Sequence, residues 1–417
     1  MFRGQVTVVN SLCTAIRAYN TSANPGIEAG AKYKPDVTFY DVNESLPEEH
    51  VTSFRKMELV FVEFKRGPTS DPFNRDDKAT FPKTFEATCA SRGQMALYAT
   101  RLQMYQFRTF VFSVGIFGNV ARLFRWDRSG AIVSAPIMYA EEGNRELSEF
   151  FYRLNLTDRA QRGWDPTVSE ATSEEAVAFD QAIQTVVGCG QNKLLKKLLE
   201  SVGDEVNYPR NKVDIFDHGE QISYIIGRSL MYPKSPVGRC TRGFVAMDMR
   251  AKKLTYLKDS WRPNIAGVRS ESHWYNMLEG ARNIAAFSHG SDVGKVVVRQ
   301  NAKRRRTKNG FRPQRTLTQN YAKKLSGIHN MMGYVHYRIV QCEFYIPLTM
   351  FRDSKHLAEI MYDVLLGKTF PSISQALAAH SFLCSNRRPS RKRDPPSRHQ
   401  HQQHNDHHPR PRPSDRL

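Results

Sequence analysis

The chain has 417 residues, enough for two or three domains that each bury a core. Its content of 40% hydrophobic and 24% charged residues is typical of a globular protein and excludes a largely disordered or membrane-embedded chain. The net charge of +20 is concentrated in residues 299–324, with ten Lys or Arg and no acid, and in residues 387–417, with nine Lys or Arg against three Asp. Because we predict both segments to be flexible, this excess does not indicate a folded nucleic-acid surface.

The six cysteines are scattered without C-x-x-C spacing, which predicts neither a disulfide framework nor a zinc site and favours a reducing compartment. No apolar run approaches the roughly 18 residues that span a membrane, and the N-terminal MFRGQVTVVN lacks an apolar secretory core. The sequence therefore predicts an intracellular protein, cytoplasmic or nuclear, without a membrane partner.

The first 140 residues mix helical and strand patterns. A helix is predicted within residues 1–30, ending at the Asn-Pro-Gly of positions 24–26, and strands are predicted at 36–42 and 58–65. A helix follows over 88–105. Two further strands come next and contain the turn sequence DRSG at 127–130, a good hairpin signal.

This block contains the ordered pattern PD…ExK…QxxxY, formed by Asp36, then Glu63 and Lys65, then Gln94 and Tyr98. Two acids at adjacent strand ends can hold Mg²⁺ through oxygen ligands, and a lysine beside them can orient or deprotonate a water. The arrangement resembles the restriction-endonuclease-like PD-(D/E)XK superfamily and implies metal ligation by Asp36 and Glu63.

A second interpretation of the same residues stays open. An edge strand would also place Glu63 and Lys65 outward, and a helix surface would place the glutamine and tyrosine one turn apart. Asp41 is an alternative to Asp36 as the first acid.

Residues 141–205 become acidic and helical, with a capping box formed by Thr172 and Glu175. We interpret this segment as a helical connector.

A glycine-containing run follows the connector. Gly238, Gly243 and Val245 fit the spacing G-x-G-x-x-G-x-V, with Cys240 at the middle glycine position. A loop of this kind between two strands lets backbone N–H groups approach phosphate oxygens.

The predicted strand that follows the loop ends at Lys258, and Glu271 opens a helical pattern thirteen residues later. A lysine held by a glutamate is the ion pair that positions ATP phosphates in protein kinases. An ordinary hairpin with an exposed lysine and a solvated glutamate is the alternative.

The last third of the chain contains the basic run 299–324, predicted strands at 337–345 and 346–351, and a helix at 354–366. The basic run fits a nuclear-localisation or nucleic-acid patch, or else a solvated insertion. The residues predicted to face inward on the helix are Leu357, Ile360, Met361, Val364 and Leu365.

From residue 368 the chain is low in complexity and rich in Arg, His and Pro. Such a composition cannot form a packed core, so we predict a disordered basic tail over 368–417. Its histidines imply no fixed metal geometry.

Eight blocks of the sequence, in order, resemble the fungal-type protein kinase family over about residues 35–367. The blocks are FVEFKRGPTSDPF, RGQMALYATR, FSVGIFGNVARLFRWDRSGA, QRGWDPTV, TRGFVAMDM, LKDSWRP, ESHWYNMLEGARNIAAFSHGSDV and HYRIVQCEFYIPLTMFRDSKHLAEIMYDVLLG. The resemblance implies that Gly238 and Gly243 belong to a nucleotide loop, that Lys258 contacts ATP phosphates and that Glu271 pairs with Lys258.

The expected fold is α+β. It consists of a restriction-endonuclease-like sheet and helix domain (1–140), the helical connector (141–205), a kinase-like N-lobe (206–367) and the tail (368–417). The N-lobe is expected to be an antiparallel sheet with one helix.

The sequence departs from the family in one respect. It contains no His-Arg-Asp tripeptide, and nothing after residue 368 offers a metal-binding Asp in a folded setting. We therefore expect a C-terminally truncated kinase-like protein that holds ATP weakly, if at all, and does not transfer phosphate. The alternatives are a Mg²⁺-dependent nuclease-like protein and a protein that binds nucleic acid weakly through its basic segments.

An N-lobe without its second lobe exposes apolar surface, so we also expect a protein partner that covers it.

Overall fold

The computed structural model describes residues 2–25, 33–44, 52–57, 60–74, 82–189, 193–202, 208–281, 283–301, 306–325 and 331–366. Three predicted features lie wholly or partly outside these ranges: the tail 368–417, the start of the strand at 58–59, and residues 302–305 of the basic run.

The N-terminal region is built on a six-stranded sheet in the order β1 to β6. Its strands are β1 (Ile16–Asn20), β2 (Val37–Asp41), β3 (Val60–Lys65), β4 (Val111–Phe117), β5 (Val120–Asp127) and β6 (Gly130–Val133). Helix α1 (Phe2–Leu12) precedes the sheet, and α2 (Glu86–Tyr105) connects β3 to β4. Strands β3 and β4 pair in parallel and the other neighbours are antiparallel. A connecting helix is the usual way to join two parallel neighbours.

The predicted strands, the helix α2 and the DRSG hairpin are confirmed, but the single helix predicted within residues 1–30 is wrong. The helix ends at Leu12, and Ile16 begins β1. Ile16, one of the apolar residues that suggested a longer helix, is instead buried in the sheet core as part of β1. Buried and exposed residues alternate along this strand, as expected when one of its faces packs on a core.

The connector segment contains three helices and a short strand among the described residues. These are α3 (Glu146–Asn155), β7 (Val168–Glu170), α4 (Ser173–Cys189) and α5 (Lys193–Val202). The predicted capping box is confirmed, since Thr172 N donates to Glu175 Oε2 at 3.0 Å and Glu175 N donates to Thr172 Oγ1 at 3.3 Å.

The C-terminal region is built on a seven-stranded antiparallel sheet in the order β12-β15-β11-β10-β9-β8-β7. Its further strands are β8 (Asn211–Asp217), β9 (Glu220–Ser229), β10 (Arg242–Asp248), β11 (Leu254–Pro263), β12 (Phe287–Asp292) and β15 (Tyr334–Gln341). Helix α6 (Glu271–Met277) follows β11. The expected antiparallel sheet is therefore present, together with the helix expected after Lys258.

The basic run is more regular than its composition suggests. Strands β13 (Gly294–Asn301) and β14 (Arg306–Pro313) form a separate hairpin, and helix α7 (Thr318–Leu325) follows. The described part of the run thus has regular secondary structure, and the flexibility predicted for 299–324 stays a prediction. Three consecutive valines at 296–298 favour an extended backbone despite the surrounding charge.

The chain beyond β15 differs from two predictions. The strand predicted at 346–351 is instead a 3₁₀ turn, Leu348–Met350, which follows a proline that cannot donate to a sheet. Helix α8 (Ser354–Leu366) is confirmed, but Met361, Val364 and Leu365 are exposed rather than inward.

The two faces of the seven-stranded sheet are covered differently. On the face carrying Phe244 and Leu257, which we call the domain face, the apolar core includes Phe107 from the N-terminal region. On the other, the helical face, Val245 packs in a core with Phe179 of α4. Because side chains alternate along a strand, neighbouring residues serve opposite faces.

A buried network of charged residues lies on the domain face. Arg338 donates Nη2 to Asp165 Oδ2 at 2.6 Å and Nε to Asp259 Oδ2 at 3.2 Å. The His336 ring places Nε2 2.8 Å from Asp259 Oδ1 and Nδ1 2.7 Å from Gln314 Oε1. The network therefore joins the connector, through Asp165, to strands β11 and β15.

Burial alone would raise the pKa of both carboxyls in this network. For Asp259, however, the charges of His336, Arg242 and Arg338 hold the pKa well below its ordinary value, and Arg338 and His336 lower that of Asp165. The charged forms are thus favoured in the folded protein.

Among the described residues, no helix combines the length and apolar character required to cross a bilayer.

Replacing Arg338 with Met should lower the free energy of unfolding by about 3–5 kcal/mol, because it leaves two carboxylates buried without their partner. Denaturant unfolding followed by tryptophan fluorescence measures the change. The matched control is Arg250→Met, since Arg250 forms an exposed pair with Glu220 at 2.9 Å and should cost no more than about 1 kcal/mol. Equal losses in the two variants would contradict a stabilising role for the network.

Candidate functional site

The residues predicted to form an ATP-positioning pair lie together. Lys258 Nζ is 2.8 Å from both carboxylate oxygens of Glu271. The alternation of β11 directs Lys258 to the helical face, and Glu271 is the first residue of α6, where a negative charge is favoured by the helix dipole. Ser270 caps the helix by accepting from His273 N at 3.4 Å. Both side chains of the pair keep some solvent exposure, 22% and 14%.

A second cation, which the sequence did not single out, approaches the same carboxylate. Arg239 Nη2 is 3.7 Å from Glu271 Oε2. Its backbone is anchored because the Arg239 carbonyl accepts from Trp261 N at 2.8 Å. One carboxylate therefore faces two cations, Lys258 and Arg239, and the local charge favours an anion. The signal available in the sequence was an arginine directly after Gly238.

The loop between β9 and β10 has a backbone suited to glycine. Gly238 has φ +98°, and Cys240, at the middle glycine position, has φ +44° in the region that side chains rarely adopt. The Gly238 N–H, predicted to face phosphate, instead donates to the carbonyl of Arg128 at 2.8 Å. The loop is therefore tied to the β5–β6 hairpin.

The remaining predicted nucleotide contacts lie within the sheet rather than in the loop. Gly243 is the second residue of β10, and a Cβ atom there would clash with the Tyr256 hydroxyl. Val245 is completely buried against α4 and α5. The structure thus brings Lys258 and Glu271 together but gives Gly243 and Val245 packing roles.

Four side chains of the N-terminal pattern are joined by hydrogen bonds, and the fifth residue, Asp36, is bonded to the backbone between two of them. Lys65 Nζ is 2.9 Å from Glu63 Oε1 and 2.8 Å from Gln94 Oε1, and Gln94 Nε2 donates to Tyr98 OH at 2.9 Å. Asp36, directly before β2, accepts from the backbone N–H of Phe64 at 2.8 Å. Strands β2 and β3 and helix α2 therefore place the five side chains at one edge of the six-stranded sheet. The alternative acid, Asp41, lies at the other end of β2 and accepts from Asn43 N at 2.9 Å.

The electrostatics of this cluster differ from those of a surface ion pair. Burial, then the negative charge of Asp36, raises the pKa of Glu63 to about 7, although Lys65 opposes the shift. Burial also raises the pKa of Asp36. Glu63 Oε2 is buried and has no hydrogen-bond partner. A cation at this oxygen would offset both the desolvation and the repulsion between the carboxylates.

The metal-binding capacity of the cluster is limited to these two carboxylates. In the described ranges, no group of three or more His, Cys, Asp or Glu residues is positioned to hold a metal. Mg²⁺ is commonly held by one or two carboxylates and keeps several waters, so the donor set of Asp36 and Glu63 fits that ion.

Comparison with known proteins identifies one family. The model of the family described as fungal protein kinase matches residues 84–370, which is more than half of the chain and includes the seven-stranded sheet together with α2 and strands β4 to β6 of the N-terminal sheet. Searches among curated proteins and among solved structures gave no match. Because the family model matches more than half of the chain, and the matched part contains the Lys258–Glu271 pair, the chain belongs to the fungal protein kinase family.

Proposed function

We propose that this protein is a kinase-like ATP-binding protein in which Lys258 contacts the phosphates and Glu271 positions the lysine. The observation that carries the proposal is the Lys258 ammonium held 2.8 Å from both oxygens of Glu271 in a chain of a kinase family. Kinases of this family use ATP with Mg²⁺, and a Lys–Glu pair is the part of the kinase site that orients the phosphates.

The electrostatics support an anionic ligand at this position. Arg239 and Lys258 carry two positive charges, and Glu271 supplies one negative charge between them. A phosphate oxygen that replaces the Arg239 contact would leave every charge paired. For the loop to donate to phosphate as well, Gly238 N–H would exchange its bond to Arg128 for one to the ligand.

We further propose that this chain does not transfer phosphate by itself. Phosphoryl transfer in kinases uses a catalytic-loop Asp and Asn and a metal-binding Asp. The 417-residue sequence contains neither a His-Arg-Asp nor an Asp-Phe-Gly tripeptide. The residues for holding phosphates are therefore present without those that perform the reaction.

We propose the predicted division into 1–140, 141–205 and 206–367 as functional regions, with the tail after them. The division is supported by the two separate sheets and the helices between them. Exposed apolar residues on α8, including Met361, Tyr362 and Leu365, support the proposal of a protein partner at the end of the kinase-like region. Weak nucleic-acid binding by the basic segments stays a prediction.

A second candidate function is Mg²⁺-dependent cleavage of nucleic acid by the N-terminal cluster. The specific observation in its favour is the convergence of Asp36, Glu63, Lys65, Gln94 and Tyr98 on one edge of a sheet whose β3 and β4 are parallel. Asp36 and Glu63 would hold the ion, which would polarise the scissile phosphate. Lys65 is placed to orient a water beside it.

Lys258→Met should weaken ATP binding by about tenfold or more, because it removes a charge-assisted hydrogen bond to phosphate. Calorimetric titration with ATP measures the dissociation constants. The matched control is Lys253→Met, since Lys253 is exposed and lies 4.0 Å from Glu343. Unchanged affinity in the Lys258 variant would contradict the assignment.

The wild-type chain should release no ADP above background when incubated with ATP and Mg²⁺, because the catalytic-loop groups are missing from the sequence. A coupled ADP assay checks this. ADP production that Lys258→Met abolishes would overturn the proposed inactivity.

The melting temperature of the wild-type chain should rise with Mg²⁺ more at pH 8 than at pH 6, since protons compete for Glu63, whose pKa is about 7. Glu63→Gln should lose this response. Without metal, the same variant should gain about 2–3 kcal/mol of stability at pH 8, because a carboxyl with a raised pKa destabilises the fold as pH rises through about 7. The stability gain should be absent at pH 4, where the carboxyl is protonated in both states.

The matched control for this experiment is Glu149→Gln, because the Glu149 side chain is 52% exposed. DNA incubated with Mg²⁺ provides the activity readout. Cleavage that persists in Glu63→Ala, or a Mg²⁺ response that survives in Glu63→Gln, would remove the nuclease assignment.

A further inference from the structure

The face of the sheet that carries Lys258 determines what a ligand of this site can contact besides the two cations. Small-molecule sites are lined mainly by apolar and aromatic side chains, so a nucleotide base bound next to its phosphates requires an open surface of that kind. Alternate residues of paired strands share a face. On this face, the paired residues of β10 and β11 are Gly243 with Lys258, Val245 with Tyr256, and Met247 with Leu254.

Two helices cover the apolar residues on the β10 side of Lys258. Val245 is completely buried, and Met247 and Leu254 are 1% and 5% exposed. All three belong to the core that also contains Phe179 of α4 and Leu199 of α5. A base has no access to these side chains while α4 and α5 pack on the sheet.

The Tyr256 ring occupies the position between that core and the lysine. It lies opposite Val245 in the register and two residues before Lys258 on the same strand. The ring lies so close over Gly243 that a Cβ atom there would clash with the hydroxyl. Burial raises the pKa of Tyr256, and the negative charge of Glu271 raises it further. A neutral phenol therefore occupies the space above the glycine.

Protein groups also cover the other side of the lysine. Ile339 of β15 pairs with Lys258 in the register and is completely buried. Tyr337 lies two residues away on the same face, and its hydroxyl accepts a hydrogen bond from the backbone N–H of Ser272 in α6 at 2.9 Å. Strand β15 thus offers no open apolar surface at these two positions.

The two cations in the middle of this face remain accessible. The side chains of Lys258 and Arg239 are 22% and 30% exposed. Within the described part of the chain, Arg239 Nε is buried without a hydrogen-bond partner. Phosphate oxygens accept charge-assisted hydrogen bonds from lysine and arginine and require no apolar surface. Donors for a phosphate chain are therefore available where the neighbouring apolar side chains are already covered.

We propose that this site recognises the phosphate chain of its ligand and excludes the base, so that the ligand class is polyphosphate in general rather than adenine nucleotides. Lys258 and Arg239 hold the phosphates, while Tyr256 and the helices α4 and α5 occupy the space beside them. The inference rests on the proposed phosphate-holding function of the Lys258–Glu271 pair and narrows it, because ATP then binds through its phosphates alone.

The test titrates the full chain with ATP, GTP and inorganic triphosphate, in EDTA so that each probe is free of metal. Calorimetry should give dissociation constants that agree within about fivefold, because the three probes share the phosphate chain that makes the contacts. Adenosine, which has the base without phosphate, should show no saturable binding.

Arg239→Gln should weaken binding of all three phosphate probes by about tenfold, since it removes one charged donor. The matched control is Arg250→Gln, because Arg250 forms an exposed pair with Glu220. A loss confined to ATP would contradict recognition of the phosphate chain.

Tyr256→Ala should improve binding of ATP and GTP relative to triphosphate by about fivefold or more, because a base gains the space above Gly243. Tyr256→Phe keeps the ring and should leave the ratio unchanged. Circular dichroism verifies that both variants are folded. An unchanged ratio in a folded Tyr256→Ala variant overturns the inference.

The comparison of probes separates this inference from the function on which it rests. ATP that binds more than about tenfold more tightly than triphosphate, or adenosine that competes for the site, overturns the inference while the ATP proposal stands. Failure of all three phosphate probes to bind, or equal binding in Lys258→Met, removes both. Similar affinities that all fall in Lys258→Met support both.

Discussion

The completely buried Arg338 is the residue on which the attachment of the connector to the seven-stranded sheet depends. Its guanidinium joins Asp165 of the connector to Asp259 of β11, while His336 and Gln314 complete the hydrogen bonds of the same carboxylates. Ion pairs without solvent cost desolvation energy, so a network of this kind is stable only when each charge has its partners. It therefore ties the connector to strands β11 and β15 on the domain face of the seven-stranded sheet.

Successive side chains of β11 point to opposite faces of the sheet, so neighbouring residues belong to two different charged clusters. Lys258 points to the helical face and reaches Glu271, whereas Asp259, the next residue, enters the buried network. The strand that positions Lys258 is thus anchored on its opposite face by Asp259, whose carboxyl pKa is strongly lowered. A change at the network is expected to reach the lysine through this single strand, although the two side chains have no shared partner in the described part of the chain.

The sequence was informative where the order of strands and helices brings the residues of a site together. The order of Lys258 and Glu271 predicted their pairing, although β11 continues to Pro263, so Lys258 lies in the middle of the strand rather than at the predicted strand end. In the N-terminal pattern, Asp36 directly precedes β2, and Glu63 and Lys65 lie in the second half of β3. The Arg338–Asp165 contact, by contrast, joins residues 173 positions apart, and no local pattern in the sequence predicts such a distant pair. Burial of Val245 was compatible with its pattern, but the pattern cannot say that α4 rather than a nucleotide covers it.

The central claim is that the Lys258–Glu271 pair forms the phosphate-holding part of a kinase-like ATP site. Hydrogen exchange of the full chain, with and without ATP and Mg²⁺, tests this most directly. The account predicts added protection in Leu254–Pro263 and Glu271–Met277, with changed exchange in the loop around Gly238 as its bond to Arg128 is replaced. Protection that appears elsewhere and leaves these segments unchanged would contradict it.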